Sequence, residues 1–79
     1  MPSKRRAYQG RITRNPAVMV GKPVIKGTRI TVEMILRMLG DGLSEVEVME
    51  AYPHITADDI KAAQRFAADY MADEEIVYG

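Results

Sequence analysis

Cysteine and tryptophan are absent from this chain of 79 residues, and histidine and phenylalanine occur once each. Without cysteine no disulfide can staple the fold, and the chain is compatible with a reducing compartment; a cytoplasmic location is the expectation. A lone histidine, His54, would leave a zinc site to be completed by carboxylates, so a turn or helix-cap role between Pro53 and Thr56 is expected instead of a metal centre. No apolar run approaches the roughly 18 residues that a membrane span requires. The opening Met1-Pro2-Ser3-Lys4-Arg5-Arg6 carries a positive cluster with no apolar stretch behind it, so neither a membrane span nor a secretory leader is expected. The acids of the second half have no histidine, lysine or serine at a catalytic spacing. A non-enzymatic protein that needs no cofactor is the resulting expectation.

A chain of this length forms one domain and buries only about 60–65% of the surface that its unfolded form exposes. Small domains reach stability through disulfides, a metal or self-association. With the first two set aside, self-association remains, and a homodimer is expected.

The net charge is zero, but the charges are segregated. Residues 1–37 hold nine basic groups against the single acid Glu33, a net +8, while residues 38–79 hold ten acids against Lys61 and Arg65, a net −8. Such asymmetry suggests a basic surface for an anionic partner and an acidic surface for another purpose. The competing reading is that the two halves fold against each other, or against a second copy, and neutralise.

Residues 1–10 are polar and basic and are expected to be flexible. From 11 to 30, short β-prone runs (Arg11-Ile12-Thr13, Val18-Met19-Val20, Val24-Ile25, Arg29-Ile30) alternate with the turn signals Asn15-Pro16, Gly21-Lys22-Pro23 and Gly27. Too short to stand alone, these runs need one another, the helices or a second chain. Thr31 caps an expected helix over 32–39, whose residues Val32, Ile35, Leu36 and Leu39 form one apolar stripe before Gly40-Asp41-Gly42. Ser44-Glu45-Val46-Glu47 has capping-box spacing and opens a second helix over 45–51, ended by Pro53. Thr56-Ala57-Asp58-Asp59 opens a third over 57–71, with Ile60, Ala63, Phe66, Ala67, Tyr70 and Met71 on a broad apolar face; Phe66 and Tyr70 are expected in the core. The expected fold is mainly α: a three-helix, helix-turn-helix-like bundle preceded by a short β-forming arm. It forms a single domain over 11–72, with an acidic and apolar tail over 73–79.

Asn15-Pro16, the string Gly21-Lys22-Pro23-Val24-Ile25-Lys26-Gly27-Thr28-Arg29-Ile30, then Gly42-Leu43-Ser44 and Tyr52-Pro53-His54-Ile55-Thr56 follow one another in a specific order. In that order they resemble the small bacterial family numbered four-three-three among domains of unknown function, commonly described as VapB-like antitoxins. The resemblance covers about Arg11 to Ala68. It implies a strand-preceded three-helix DNA-binding fold and an antitoxin role in a type II toxin–antitoxin pair. The implied partner is a PIN-like nuclease toxin, and the implied second ligand is promoter DNA. The first ten residues and the acidic tail lie outside it.

Two surfaces carry the candidate sites. Arg11, Arg14, Lys22, Lys26 and Arg29 are the candidate DNA-binding residues; about five phosphate contacts would give a salt-dependence slope of roughly −4 to −5. The loop from Gly21 to Arg29 can be read as an anion cradle, or as tight turns in which Thr28 and Arg29 tie the arm to the bundle. The third helix is a poor major-groove reader, since its first turn offers Asp58 and Asp59, whose carboxylates repel phosphate. The candidate partner-binding residues are Glu74 and Glu75 as rim charges, with Ile76 and Tyr78 as apolar anchors. The alternative function is a homo-oligomeric interaction domain, or a small transcription regulator, with no toxin partner.

Overall fold

The structure, a computed structural model, describes residues 10–73. Residues 1–9 and 74–79, and with them Glu74, Glu75, Ile76 and Tyr78, lie outside the described residues. The element order is β1 (Ile12–Thr13), a short 3-10 turn (Met19–Gly21), β2 (Val24–Ile25), α1 (Val32–Gly40), α2 (Glu45–Ala51) and α3 (Ala57–Asp73). It is a small helical bundle with a two-stranded β arm in front of it.

Within the arm, β2 is paired on both flanks. β1 and β2 pair antiparallel with Ile12 opposite Ile25 and Thr13 opposite Val24. On the other flank of β2, Ile25 N–H donates to the Ile30 carbonyl at 2.9 Å, and Val32 N–H donates to that of Pro23 at 3.0 Å. The stretch before α1 therefore folds back beside β2, and these pairings need no second chain. The run Val18-Met19-Val20, expected to be β-prone, departs from that reading. Met19 (φ 49°), Val20 (φ 56°) and Gly21 (φ 79°) turn through the left-handed region, held by Gly21 N–H to the Val18 carbonyl and Lys22 N–H to that of Met19, both 3.1 Å. A β-branched residue there costs about 1–3 kcal/mol. The physical reason is local: Asn15 and Pro16 have already reversed the chain, and Val20, 91% exposed, has no apolar neighbour to draw it into a strand.

Each helix begins at a polar cap. The Thr31 hydroxyl accepts from Met34 N–H at 3.0 Å, and Ser44 with Glu47 forms a reciprocal capping box. At α3, Thr56 Oγ1 accepts from Asp59 N–H at 3.2 Å while Asp59 Oδ2 accepts from Thr56 N–H at 3.0 Å, a second reciprocal box that uses aspartate where glutamate is usual. α1 closes at Gly42 (φ 102°), where Leu43 N–H reaches the Met38 carbonyl and Gly42 N–H that of Leu39.

One residue from each helix is fully enclosed at the centre: Ile35, Val48 and Ile60. Ile25, Val32, Ile55 and Ala63 complete this cluster, and Phe66 packs against its edge. Ile25 brings the arm into the core, so arm and bundle are one packing unit. Tyr70, expected inside, is 52% exposed, and Met71 is 63% exposed. α3 has 17 residues against nine in α1 and seven in α2, so its last turns run past the helices that would cover them.

Asp59 is buried although charged, and it serves both the α3 cap and Arg11 of the arm. Asp59→Ala should lower stability by about 1–2 kcal/mol in urea denaturation, as expected for a lost cap. Asp58→Ala, at an exposed neighbour, should stay within about 0.5 kcal/mol of the parent. Equal effects at the two positions would mean that the cap does not anchor α3.

Candidate functional site

The six cations between residues 10 and 37 fall into four groups. Arg11 crosses to the start of α3, with Nη1 3.1 Å from Asp59 Oδ1 and Nη2 3.6 Å from Asp58 Oδ2. Lys22 and Arg37 converge on Glu33, at 3.1 Å to Oε1 and 2.9 Å to Oε2. The Arg14 guanidinium lies 5.8 Å from the ring centroids of both Phe66 and Tyr70, which stack nearly parallel 6.2 Å apart. Lys26 and Arg29 are different: both are exposed, and neither side chain has an ion pair or hydrogen bond among the described residues.

The turn that carries Lys26 and Arg29 is built by its neighbours. Gly27 takes φ 82°, and Thr28 Oγ1 donates to the Ile25 carbonyl at 2.8 Å and accepts from Ile30 N–H at 2.9 Å. Thr28 thus holds the turn, and Arg29 plays no part in joining arm to bundle. Arm and bundle are instead joined by Arg11 at Asp59, Lys22 at Glu33, Arg14 over Phe66 and Tyr70, and Ile25 in the core, where one of the two sequence readings had offered Thr28 and Arg29. The five candidate DNA-binding residues also do not form one face. Arg11 lies at the base of α3, Arg14 and Lys22 beside α1 and the distal half of α3, and only Lys26 and Arg29 share the free turn.

The charge segregation is resolved in part inside the fold. Arg11 spends its charge on the acids of the α3 first turn, so Asp58 and Asp59 are the receptor for the arm. His54 is exposed in the turn between α2 and α3. Among the described residues no group of three or more histidine, cysteine or acidic residues is placed to hold a metal ion.

A groove of about 560 Å³ opens between α1 and the distal half of α3. Its floor is apolar, from Val32 and Leu36 on α1 to Phe66 and Ala67 on α3, with the exposed Tyr70 and Met71 at its mouth. Arg14, Lys22 and Arg37 stand on its rim, together with Glu33. Sequence reasoning had counted Val32, Leu36 and Phe66 as core and had not foreseen a groove. The available signal was length: a third helix about twice as long as the first leaves an apolar face with nothing on it.

Residues 12–67 match the family described as Protein of unknown function (DUF433). The chain is similar to the crystal structure of a DUF433 member protein from Anabaena variabilis ATCC 29413, with a TM-score of 0.74 and 30% identity, covering 85% of this chain and 68% of that one. It is also 32% identical over 69 residues to an uncharacterized protein, y4eO, of Sinorhizobium fredii (strain NBRC 101917 / NGR234), covering 86% of this chain. The chain spans only 31% of the length of that curated relative. None of these descriptions names a toxin, a nucleic acid or another ligand, and the family match stops short of Tyr70 and Met71.

Glu33 links two rim cations, and the hydrogen bond from Lys22, followed by that from Arg37, holds its carboxyl below the usual 4.5. A carboxyl depressed on folding contributes stability above its unfolded value and loses that contribution as pH falls through the folded one, here below 4.5. Carbon-13 NMR titration should place the Glu33 midpoint below 4.5 in the parent and higher in Lys22→Ala. An unchanged midpoint in Lys22→Ala would remove Lys22 from the rim network.

Proposed function

Starting from a chain that belongs to the DUF433 family, we propose that it is a non-enzymatic, protein-binding module of antitoxin type. On this reading it neutralises a PIN-like nuclease partner through the distal face of α3 and the residues that follow. The carrying observation is the apolar groove mouth at Tyr70 and Met71, exposed beside the basic rim of Arg14, Lys22 and Arg37. An exposed tyrosine and methionine beside an apolar groove have the character of interface anchors. The residues that follow in sequence include Glu74, Glu75, Ile76 and Tyr78, which on this reading supply rim charges and anchors and lie outside the described residues.

DNA binding is a second, smaller component, favoured by the unengaged Lys26 and Arg29 on their turn. Two phosphate contacts per protomer give a salt-dependence slope of roughly −2. The steeper slope expected for five cations would require Arg11, Arg14 and Lys22 to leave their present partners.

The test is co-expression and co-purification with the product of a neighbouring nuclease gene, followed by affinity measurement. The double substitution Tyr70→Ala with Met71→Ala, and separately removal of residues 74–79, should each weaken the complex at least about tenfold, the effect of losing one or two anchors. Lys26→Ala with Arg29→Ala should spare the protein complex while abolishing retention on promoter DNA. Failure to co-purify, or a complex indifferent to Tyr70 and Met71, contradicts the proposal.

A further inference from the structure

The turn that carries Lys26 and Arg29 borders a hollow of about 420 Å³, whose lining includes Thr13, Asn15, Val18, Gly27, Thr28 and Arg29. No acid lines it. The first acid in the sequence is Glu33, and its carboxylate is already held by Lys22 and Arg37. The hollow is therefore basic with no counter-charge of its own. Its donors are also unspent. The side chains of Lys26 and Arg29 have no partner among the described residues, and neither has the Thr13 hydroxyl. The N–H groups of Gly27 and Arg29 take no part in the backbone bonding of the turn. Asn15 Oδ1 accepts from Ala17 N–H at 2.9 Å, which orients the carboxamide and leaves its Nδ2 to donate.

The turn itself is fixed before any ligand arrives. The Thr28 hydroxyl is fully used, donating to the Ile25 carbonyl and accepting from Ile30 N–H. Gly27 takes φ 82°, and the place of its missing side chain is open space, so an anion can come close to the backbone there. We propose that this hollow binds a phosphate group. Arg29 offers a planar fork that matches two phosphate oxygens, and Lys26 on the same turn adds a second positive charge. Asn15 Nδ2 and Gly27 N–H add neutral donors of the kind that complete an anion-binding concavity. Two cations with several donors suit a tetrahedral oxyanion better than a carboxylate, which presents only two oxygens. The inference rests on the reading of this turn as an anion-facing surface and deepens it, naming the group bound and adding Asn15 and Gly27 to the two cations. The phosphate is that of a nucleic-acid backbone or of a free phosphate monoester, and competition separates the two.

The experiment is a nitrogen-15 NMR titration of the full chain with inorganic phosphate, ionic strength being held constant with sodium chloride. Saturable shifts should be confined to the amides of Asn15, Gly27 and Arg29 and their neighbours. Arg29→Ala should weaken binding at least about tenfold, as loss of a charge-assisted hydrogen bond does. Asn15→Asp keeps an oxygen to accept from Ala17 N–H but exchanges a donor for a negative charge, so the turn should survive and phosphate binding should be lost. Lys61→Ala, whose ion-pair partner is Glu45, should change nothing. Displacement of phosphate by a short DNA duplex without terminal phosphates identifies a backbone site; displacement by glycerol phosphate alone identifies a monoester site. The second result supports the hollow and removes the DNA component of the proposed function. Retention on promoter DNA with no saturable shift at the hollow does the reverse, overturning the inference while the DNA reading stands. Shifts spread over the whole arm, or equal binding by Asn15→Asp and the parent, also overturn it.

Discussion

The contact between Arg11 and Asp59 joins parts of the chain 48 residues apart, and the remaining architecture is arranged around it. Asp59 is buried because its backbone N–H and one carboxylate oxygen are occupied by Thr56 at the N-terminus of α3. Its other oxygen would be an uncompensated buried acceptor if Arg11 did not reach it. Arg11 is placed by β1, whose pairing with β2 brings Ile25 into the core beside Ile35 and Ile60. One ion pair therefore couples the helix cap, the strand register and the apolar core.

The same contact changes the meaning of the charge pattern. A +8 half suggests a broad cationic face, but within the fold Arg11, Lys22 and Arg37 are matched to acids and Arg14 to two aromatic rings. Exposed ion pairs such as those at Glu33 add little stability individually. Their larger effect is to orient the rim of the groove. Among the described cations of that half, Lys26 and Arg29 on their short turn are the two left without such a partner, while an apolar groove opens beside the distal half of α3.

The helical part of this fold is legible in the sequence because its signals are local. Thr31, Ser44 with Glu47, and Thr56 are caps recognisable from residue type and spacing, and the apolar stripe of α1 points at the core as expected. Where the reading failed, the deciding physics was non-local. Gly21 beside Val20 signals a turn, but nothing local extends the left-handed conformation back to Val20 and Met19, and nothing near Arg11 indicates a partner in α3. Tyr70 has the spacing of a core residue, and only the relative lengths of the three helices show that its turn is uncovered. The five candidate cations were alike in sequence; tertiary partners alone separate Lys26 and Arg29 from the rest.

A double-mutant cycle on Arg11 and Asp59, read by chemical denaturation of Arg11→Ala, Asp59→Ala and the double variant, probes this joint directly. If the ion pair couples arm to bundle, the two losses will fall short of adding by at least about 1 kcal/mol, the coupling of residues in one network. Losses that add within about 0.3 kcal/mol would show that arm and bundle are held independently, and would contradict the account.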